Sequence, residues 1–450
     1  MVIKLIRNVL NKVGVDGAIA YVILARVIQA GGGLICVFFI AKYLTKVEQG
    51  YFYTFGSILA IQMFFELGLS TIITQFVAHE KAFLNWDGKT TLVGNEKSLS
   101  RLASLLQFCI KWFAVMAIIF IIVLLIFGSL FFTEYGKQNN DVEWQMPWII
   151  LALITGANLM MSPILAFLEG LGKVKDVAKI RFLQQAFQLI VLFSSLMLGL
   201  KLFSGPIAAC ASVLIIVFSI IFSYKMKLLH FIYYELKEWK VNYKIEIFPF
   251  QWRIALSWIS GYFIFQLFNP VVFATEGATV AGQMGMTLVA LSGILTISMS
   301  WINTKVPSFS NHIAMKNYTS LDFIFNKAIK QTSIICVVSL FVFIVIVYFL
   351  QYNNYPIGNR FLPIPLIVLL SIATFINQFV GALGTYLRCH KQEPFLIMSV
   401  VMAILMCSSI YFTGKFWGIY GIVGGYTLII TGSLLWGVFI FNSKKKEWHL

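Results

Sequence analysis

The chain has 450 residues, of which 59% are apolar and only 12% charged, with a mean hydropathy of +0.85. Soluble domains carry roughly half apolar and a quarter charged residues, so this composition excludes an ordinary soluble protein. The net charge of +16, from 34 Lys and Arg against 18 Asp and Glu, raises nucleic acid as a partner. However, the basic residues sit between apolar runs, which assigns the excess to membrane topology.

The chain opens with MVIKLIRNVLNKVGVDG, a short basic amphipathic stretch without a clear cleavage site. It reads as an interfacial helix rather than a removed signal peptide. Twelve apolar runs follow, near 17–41, 50–77, 105–132, 146–168, 182–200, 205–224, 254–275, 282–304, 331–350, 363–386, 395–413 and 417–441. A helix needs roughly 20 apolar residues to cross the hydrocarbon core. The runs are continuous rather than alternating, which excludes a transmembrane barrel. The expected fold class is therefore an all-α polytopic membrane protein with twelve transmembrane helices.

Span one carries Arg26 about 13 Å from its inner end, and span two carries Glu66 about 16 Å from the same face. A lone charge at such depth costs about 2.5–3.5 kcal/mol on insertion scales. One reading is a structural ion pair kept for specificity. The other places both residues on a cavity, Arg26 holding an anionic substrate group and Glu66 exchanging a proton or ion. Burial raises a carboxyl pKa and a neighbouring Arg lowers it, so substrate competing for Arg26 would shift Glu66 toward protonation. Gln29 joins Arg26 in the substrate-binding set. Gly31, Gly32 and Gly33 follow as a weak point in the helix, suited to hinging or to close helix packing.

The loop at 78–104 is long and basic, whereas the longest outer loop, TEYGKQNNDVEWQ (133–145), is acidic and short. No soluble domain is inserted, so substrate must be handled between helices. Span seven contains Gln266 and Asn269-Pro270, the proline lacking the amide a helix needs. Span eight contains Thr296, Ser298, Ser300 and Asn303. Such uncharged polar residues serve either as interhelical hydrogen bonds or as cavity lining. Gln266, Asn269, Ser298 and Asn303 are the substrate-binding candidates among them, and Pro270 is the hinge candidate. Lys111, Arg181, Arg253 and Lys305 lie near inner ends of spans. Snorkelling accounts for that placement. An alternative is a cationic vestibule for phosphate groups, to which Arg253 and Lys305 would contribute. His79 and His312 occupy corresponding inner ends. The six cysteines, Cys36, Cys109, Cys210, Cys336, Cys389 and Cys407, form no metal-ligand spacing and read as buried thiols.

With the N-terminus inside, the outer loops hold only Lys42, Lys46, Lys137, Lys201, Arg360 and Lys415 of all the Lys and Arg. Arg26 and Lys111 lie within spans, and the rest fall inside. Both termini are thus expected in the cytoplasm. The chain also repeats weakly. YLTKVEQGYFYTFGSIL (43–59) aligns with TEGATVAGQMGMTLVAL (275–291), setting Gly50 on Gly282, and GLGKVKD (170–176) aligns with RCHKQEP (388–394). The same offset sets Trp258 on Arg26 and Ser298 on Glu66, so the second half lacks both charges. Six spans per half preserve orientation, which is the pattern of a parallel repeat whose halves rock about a cavity. The expected division is 1–224 for one lobe, 225–253 for a cytoplasmic linker, and 254–450 for the other lobe.

No Walker A, GxSxG or HExxH sequence is present. The expectation is a transporter and not an enzyme, without cofactors or metal, driven by a gradient of protons or a monovalent cation.

The stretch KYLTKVEQGYFYTFGSILAIQMFFELGLSTIITQFVAHEKAFL, with Glu48, Gly50 and Tyr51 at an outer turn and an ELGL step, resembles the polysaccharide transporter branch of the MOP exporter superfamily. LEGLGKVKD (168–176) is similar to the inner loop after span four in that family. The nearest likeness is to Wzx-type O-antigen flippases. This resemblance implies a MATE-like fold of two lobes around a central cavity. It implies that an undecaprenyl-pyrophosphate-linked oligosaccharide crosses from the inner to the outer leaflet of a bacterial cytoplasmic membrane. It also implies membrane lipids and other O-antigen assembly proteins as partners, Arg26 as a cavity cation and Glu66 as the coupling acid. A MATE-type drug exporter would share the fold with other cargo, and a lipid II flippase usually carries two more spans. An O-antigen polymerase or ligase would need a large outer loop bearing catalytic Arg or His.

Overall fold

The computed structural model describes residues 31–33, 35–137, 142–390 and 392–449. Among them ten helices are long and apolar enough to cross a membrane, and a shorter apolar helix, α1, covers Gly31–Tyr43. The last of the ten, Leu396–Trp448, holds two helices joined at Gly418, whose φ of +54° interrupts the helical path. The two helices on either side of Gly418 correspond to the predicted runs 395–413 and 417–441. The architecture is all-helical and polytopic.

Contacts group the chain into two compact units. One is built on Leu59–Trp258, and the other joins Gly33–Ile58 to Ile259–Leu450. Gly33–Ile58 thus groups with the second half, although the expected division placed it in the first lobe.

The first unit begins with a short helix, α3 (Met63–Glu66), and α4 (Leu69–Lys81), separated by Leu67 and Gly68 at φ +49° and +67°. Leu67 and Gly68 interrupt what the apolar pattern predicts as one span, 50–77. The long basic loop at 78–104 carries structure of its own. It folds into an antiparallel hairpin, β1 (Leu84–Asp87) and β2 (Thr91–Gly94), turning at Gly88. Asn95 then caps α5 (Glu96–Val123) by accepting from the amides of Lys97 and Ser98. A five-residue π stretch, Leu124–Gly128, leads into α6 (Ser129–Tyr135). The wide turn frees the Leu124 carbonyl, which accepts a hydrogen bond from the buried Trp148 indole at 3.2 Å. Gly128 makes room for that ring.

Trp148 belongs to α7 (Gln145–Gly170), which packs on α4 and α5. α8 (Val174–Met197) and α9 (Ser204–Ile221) form a hairpin beside it. Ser223 caps α10 (Tyr224–Tyr234), which lies against α5. The segment expected to be a linker is fastened to this unit. Ser100 Oγ donates to the Trp239 carbonyl and accepts from the Lys237 amide, and Ser104 Oγ accepts from the Val241 amide. Arg101 donates to Glu80 and forks onto Glu246, holding the Glu246 carboxyl below its usual pKa.

The second unit starts from α1 and α2 (Lys46–Leu59), in which Thr45 and Glu48 form a capping box: the Thr45 amide donates to the Glu48 carboxylate and the Glu48 amide to Thr45 Oγ1. α11 (Phe248–Phe265) bridges the boundary residue Trp258. Span seven then breaks at Gln266–Leu267 and resumes as α12 (Phe268–Glu276), with Pro270 inside its first turn. α13 (Ala278–Asn303), α14 (Val306–Ala314), α15 (Tyr318–Tyr352), α16 (Ile364–Arg388) and α17 (Leu396–Trp448) complete the unit. Its core stacks aromatic rings edge to face, Tyr51 on Phe273 at 5.0 Å and Phe268 on Tyr426 at 4.8 Å. In both units the exposed faces of the spans are apolar, for example Phe127, Leu130, Phe341 and Phe439, as lipid contact requires.

Candidate transport site

In the first unit the polar centre forms at the helix break. Leu67 and Gly68 turn the chain after Glu66, and α4 then brings Ser70 back one turn below it. Ser70 Oγ donates to Glu66 Oε1 at 2.6 Å. Ser162 Oγ donates to the same oxygen at 3.2 Å, and the two hydroxyls lie 2.9 Å apart. Ser162 stands just before Pro163 in α7, where the absent proline amide already leaves the helix short of one bond. Thr74 ties α4 to α7 by donating to the Ser70 and Ala166 carbonyls. Among the described residues no cation is within ion-pair distance of Glu66. Its Oε1 is held instead by the two serine hydroxyls.

A Cβ on Gly68 would meet Ile254 at 2.3 Å, and the Trp258 indole nitrogen lies at 3.7 Å. The break is thus packed against α11, and Gly68 is needed for both its positive φ and its lack of a side chain.

In the second unit the analogous polar point is Asn269, buried immediately after the break in span seven. Its amide nitrogen approaches Gly285, where an added Cβ would sit 2.6 Å away, and its Oδ1 has no hydrogen-bond partner among the described residues. Tyr53 packs on the same glycine. Gln266 is half-buried at the break itself. Ser298 is fully buried and donates to its own helix at the Ile294 carbonyl, and Thr296 and Ser300 likewise bond back to α13. Asn303 is half-buried at the helix end, and Lys305 is exposed just beyond it. Arg253 is exposed with its guanidinium over Trp252. Arg26 and Gln29 lie outside the described residues. Of the hinge candidates, Gly31 and Gly33 have no contact that a Cβ would disturb, whereas Gly32 faces Leu189.

Some polar residues passed over in the sequence turn out to be organised. Ser70 reaches Glu66 because the chain turns between them at Leu67 and Gly68, not because the two share one helix face. Gln49 donates to the Gly282 and Arg360 carbonyls. Arg360, read as an outer-loop charge, donates to Gln49 Oε1 and to the Leu44 carbonyl, and burial lowers its pKa. The turn residues Glu48 and Gly50 acquire physical roles. Glu48 caps α2, and Gly50 lets α2 cross α13, where it meets Ala278 and Gly282. No group of three or more His, Cys, Asp or Glu that would hold a metal occurs among the described residues.

This architecture is MATE-like. The chain is similar to an inward-facing multidrug resistance MATE transporter of the MOP superfamily, at 14% identity and a TM-score of 0.63 over 96% of this chain and 99% of that one. It is similar to the MATE multidrug transporter DinF-BH, at 10% identity and 0.62 over 96% of each chain. It is also similar to the lipid II flippase MurJ in an inward closed conformation, at 15% identity and 0.59 over 93% of this chain and 86% of that one. No family model matches the sequence, and no curated protein matches it.

Proposed function

We propose that this protein is a secondary transporter of the MOP type that flips an undecaprenyl-pyrophosphate-linked oligosaccharide, an O-antigen repeat or a related glycan, across a bacterial cytoplasmic membrane. The observation that carries the reading is Glu66, an acid deep in a span, seated at a helix break and solvated by two hydroxyls. Broken spans at membrane depth are where transporters place ion and substrate sites. Glu66 has no cation within ion-pair distance among the described residues, and an acid within a span is by default a candidate for taking up and releasing a proton. Gln266 and Asn269, at the break in span seven, are the second-unit residues best placed to meet a polar headgroup, and Arg26 remains the candidate cation for its phosphates. Such cargo needs no covalent conversion. Its sugar cannot enter hydrocarbon while its tail stays there, so a polar path beside the bilayer suffices.

The test is a strain lacking the gene and any redundant exporter. Surface glycan should vanish and return with the wild-type gene. Glu66→Gln, at equal membrane abundance, should restore little glycan and should abolish the pH dependence of flipping in proteoliposomes. Normal, equally pH-dependent flipping by Glu66→Gln would reject the coupling role. An unchanged glycan ladder in the deletion strain would reject the cargo. The two MATE relatives give a drug exporter a specific basis, and dye efflux with an intact glycan would favour it.

A further inference from the structure

The first unit has a second chemical feature, separate from Glu66. Between α5, α7, α9 and α10 lies a cavity of about 310 Å³. Its wall is almost wholly apolar, with Ile110, Met161, Ile164, Ile220 and Leu229 among its lining residues. That volume falls at the small end of the roughly 300–1,000 Å³ of ligand pockets. α10 closes one side: Leu228, Leu229 and Ile232 are buried, and Gln107 holds the helix end by donating to the Tyr233 carbonyl.

The same helix reaches a cluster of cations. Ile221 lines the cavity, and Tyr224, just past the Ser223 cap, belongs to the cluster. Lys173 Nζ stands 3.7 Å from the centre of the Trp86 ring and 5.5 Å from that of Tyr224, whose other neighbour is Lys225 at 4.9 Å. The hairpin exists at the right place to present Trp86. Lys81, Lys89 and Lys225 are near enough to Lys173 to lower its pKa, with burial as the larger cause. Asp176 opposes them at Lys173, and it accepts a hydrogen bond from the Tyr224 hydroxyl. None of the four lysines has a carboxylate within ion-pair distance among the described residues. Lys225 is 8% exposed, so its charge is not freely hydrated.

Lysines gathered near Lys173, with no carboxylate paired to any of the four among the described residues, call for an anion. The surroundings say which kind. Phe83 and Val93 on the hairpin, and Phe222 and Met226 beside the lysines, are exposed apolar side chains. Apolar and basic residues side by side mark the boundary between headgroups and acyl chains. We propose that this surface seats one anionic membrane phospholipid, its phosphate among Lys81, Lys89, Lys173 and Lys225 and part of one acyl chain in the cavity under α10. Acyl chains gain little by leaving other acyl chains for an apolar pocket, so the lysines carry the selectivity and the cavity carries the residence. The seat is independent of the cargo proposed above.

The experiment uses the full chain, stripped of lipid in detergent and returned to nanodiscs of phosphatidylcholine with or without phosphatidylglycerol. Native mass spectrometry of the released protein should show retained phosphatidylglycerol in preference to phosphatidylcholine. Lys173→Gln with Lys225→Gln should reduce that preference by roughly fivefold or more per lysine, the size of a surface lysine's attraction to anionic lipid. Lys89→Gln, on the exposed hairpin turn, tests the same point without disturbing the packing. Ile164→Trp, filling the cavity, should shorten retention of either lipid. Equal retention of the two lipids by the wild type would overturn the proposal. So would stabilisation by inorganic phosphate as large as that by phosphatidylglycerol, because the acyl chain would then contribute nothing. Selective retention of a polyprenyl pyrophosphate over phosphatidylglycerol would also overturn it, by assigning the surface to cargo.

Discussion

Gly50→Ala should weaken the second unit out of proportion to the size of a methyl group. An ideal Cβ on Gly50 stands 1.9 Å from the carbonyl oxygen of Ala278 and 2.6 Å from its carbonyl carbon, against the 3.4 Å at which ordinary contact begins. The obstacle is backbone, so no side chain can rotate aside. Either α2 backs away from α13 or the Gly277–Ala278 turn deforms. Overpacking of this kind costs about 1–3 kcal/mol, with the upper part of the range fitting a backbone clash. Gly282 is the reciprocal position, its Cβ falling 2.9 Å from the Gly50 amide nitrogen. The pair share one crossing, so Gly50→Ala and Gly282→Ala should couple by at least about 0.5 kcal/mol in a double-mutant cycle. The internal control is Gly56→Ala on the same helix, where a Cβ meets nothing within 4 Å. There the gain in helix propensity should stabilise by about 0.5–1 kcal/mol. The assay is equilibrium unfolding in mixed micelles, followed by tryptophan fluorescence. If Gly50→Ala and Gly56→Ala move the midpoint in the same direction, the α2–α13 crossing does not constrain the fold.

Two further outcomes follow from ionic groups at the basic ends of the units. Arg101→Ala leaves Glu80, which is buried, without its partner, and should cost about 3–5 kcal/mol in the same unfolding assay; Arg101→Ala with Glu80→Gln should recover a large part of it. His390 and His449 have pKa values lowered by burial from the ordinary value of about 6.5, with Asp322 opposing the shift at His449 and Lys445 adding to it. The unfolded chain therefore binds more protons than the folded one just below that value. Stability should fall as pH drops through about 6.5 and level off below the folded values. Midpoints measured from pH 8 to pH 5 should show this slope, and His390→Gln should flatten it.

The spans were legible because burial in lipid demands long apolar runs, and that demand overrides local propensity. The interruptions were less so. Pro270 announces the break in span seven, but span two turns at Leu67, a residue whose type gives no hint of positive φ; only Gly68 does. The hairpin was legible in principle, since LNW and TLVG flank an Asp-Gly turn. It lay in a basic loop, where the apolar pattern carries no signal. Neither hydroxyl at Glu66 is readable from the sequence: the break at Leu67 and Gly68 undoes helical spacing between Glu66 and Ser70, and Ser162 arrives from another span by tertiary packing. Gly50 and Gly282 show the reverse case. Aligning the repeats set one on the other, and the fold brings them into contact.

The π stretch at Leu124–Gly128 sets a rule for chain length. One surplus residue is accommodated there, with the indole of Trp148 occupying the carbonyl it releases. Shorten this stretch by a single residue and the ladder would close into ordinary α-helix with Ser129–Tyr135 keeping its facing, because five residues of the wide turn rotate the chain about as far as four of α-helix. Phe132 would stay enclosed beside Trp148, and the loss would fall on the buried indole, left without the Leu124 carbonyl that the wide turn frees for it.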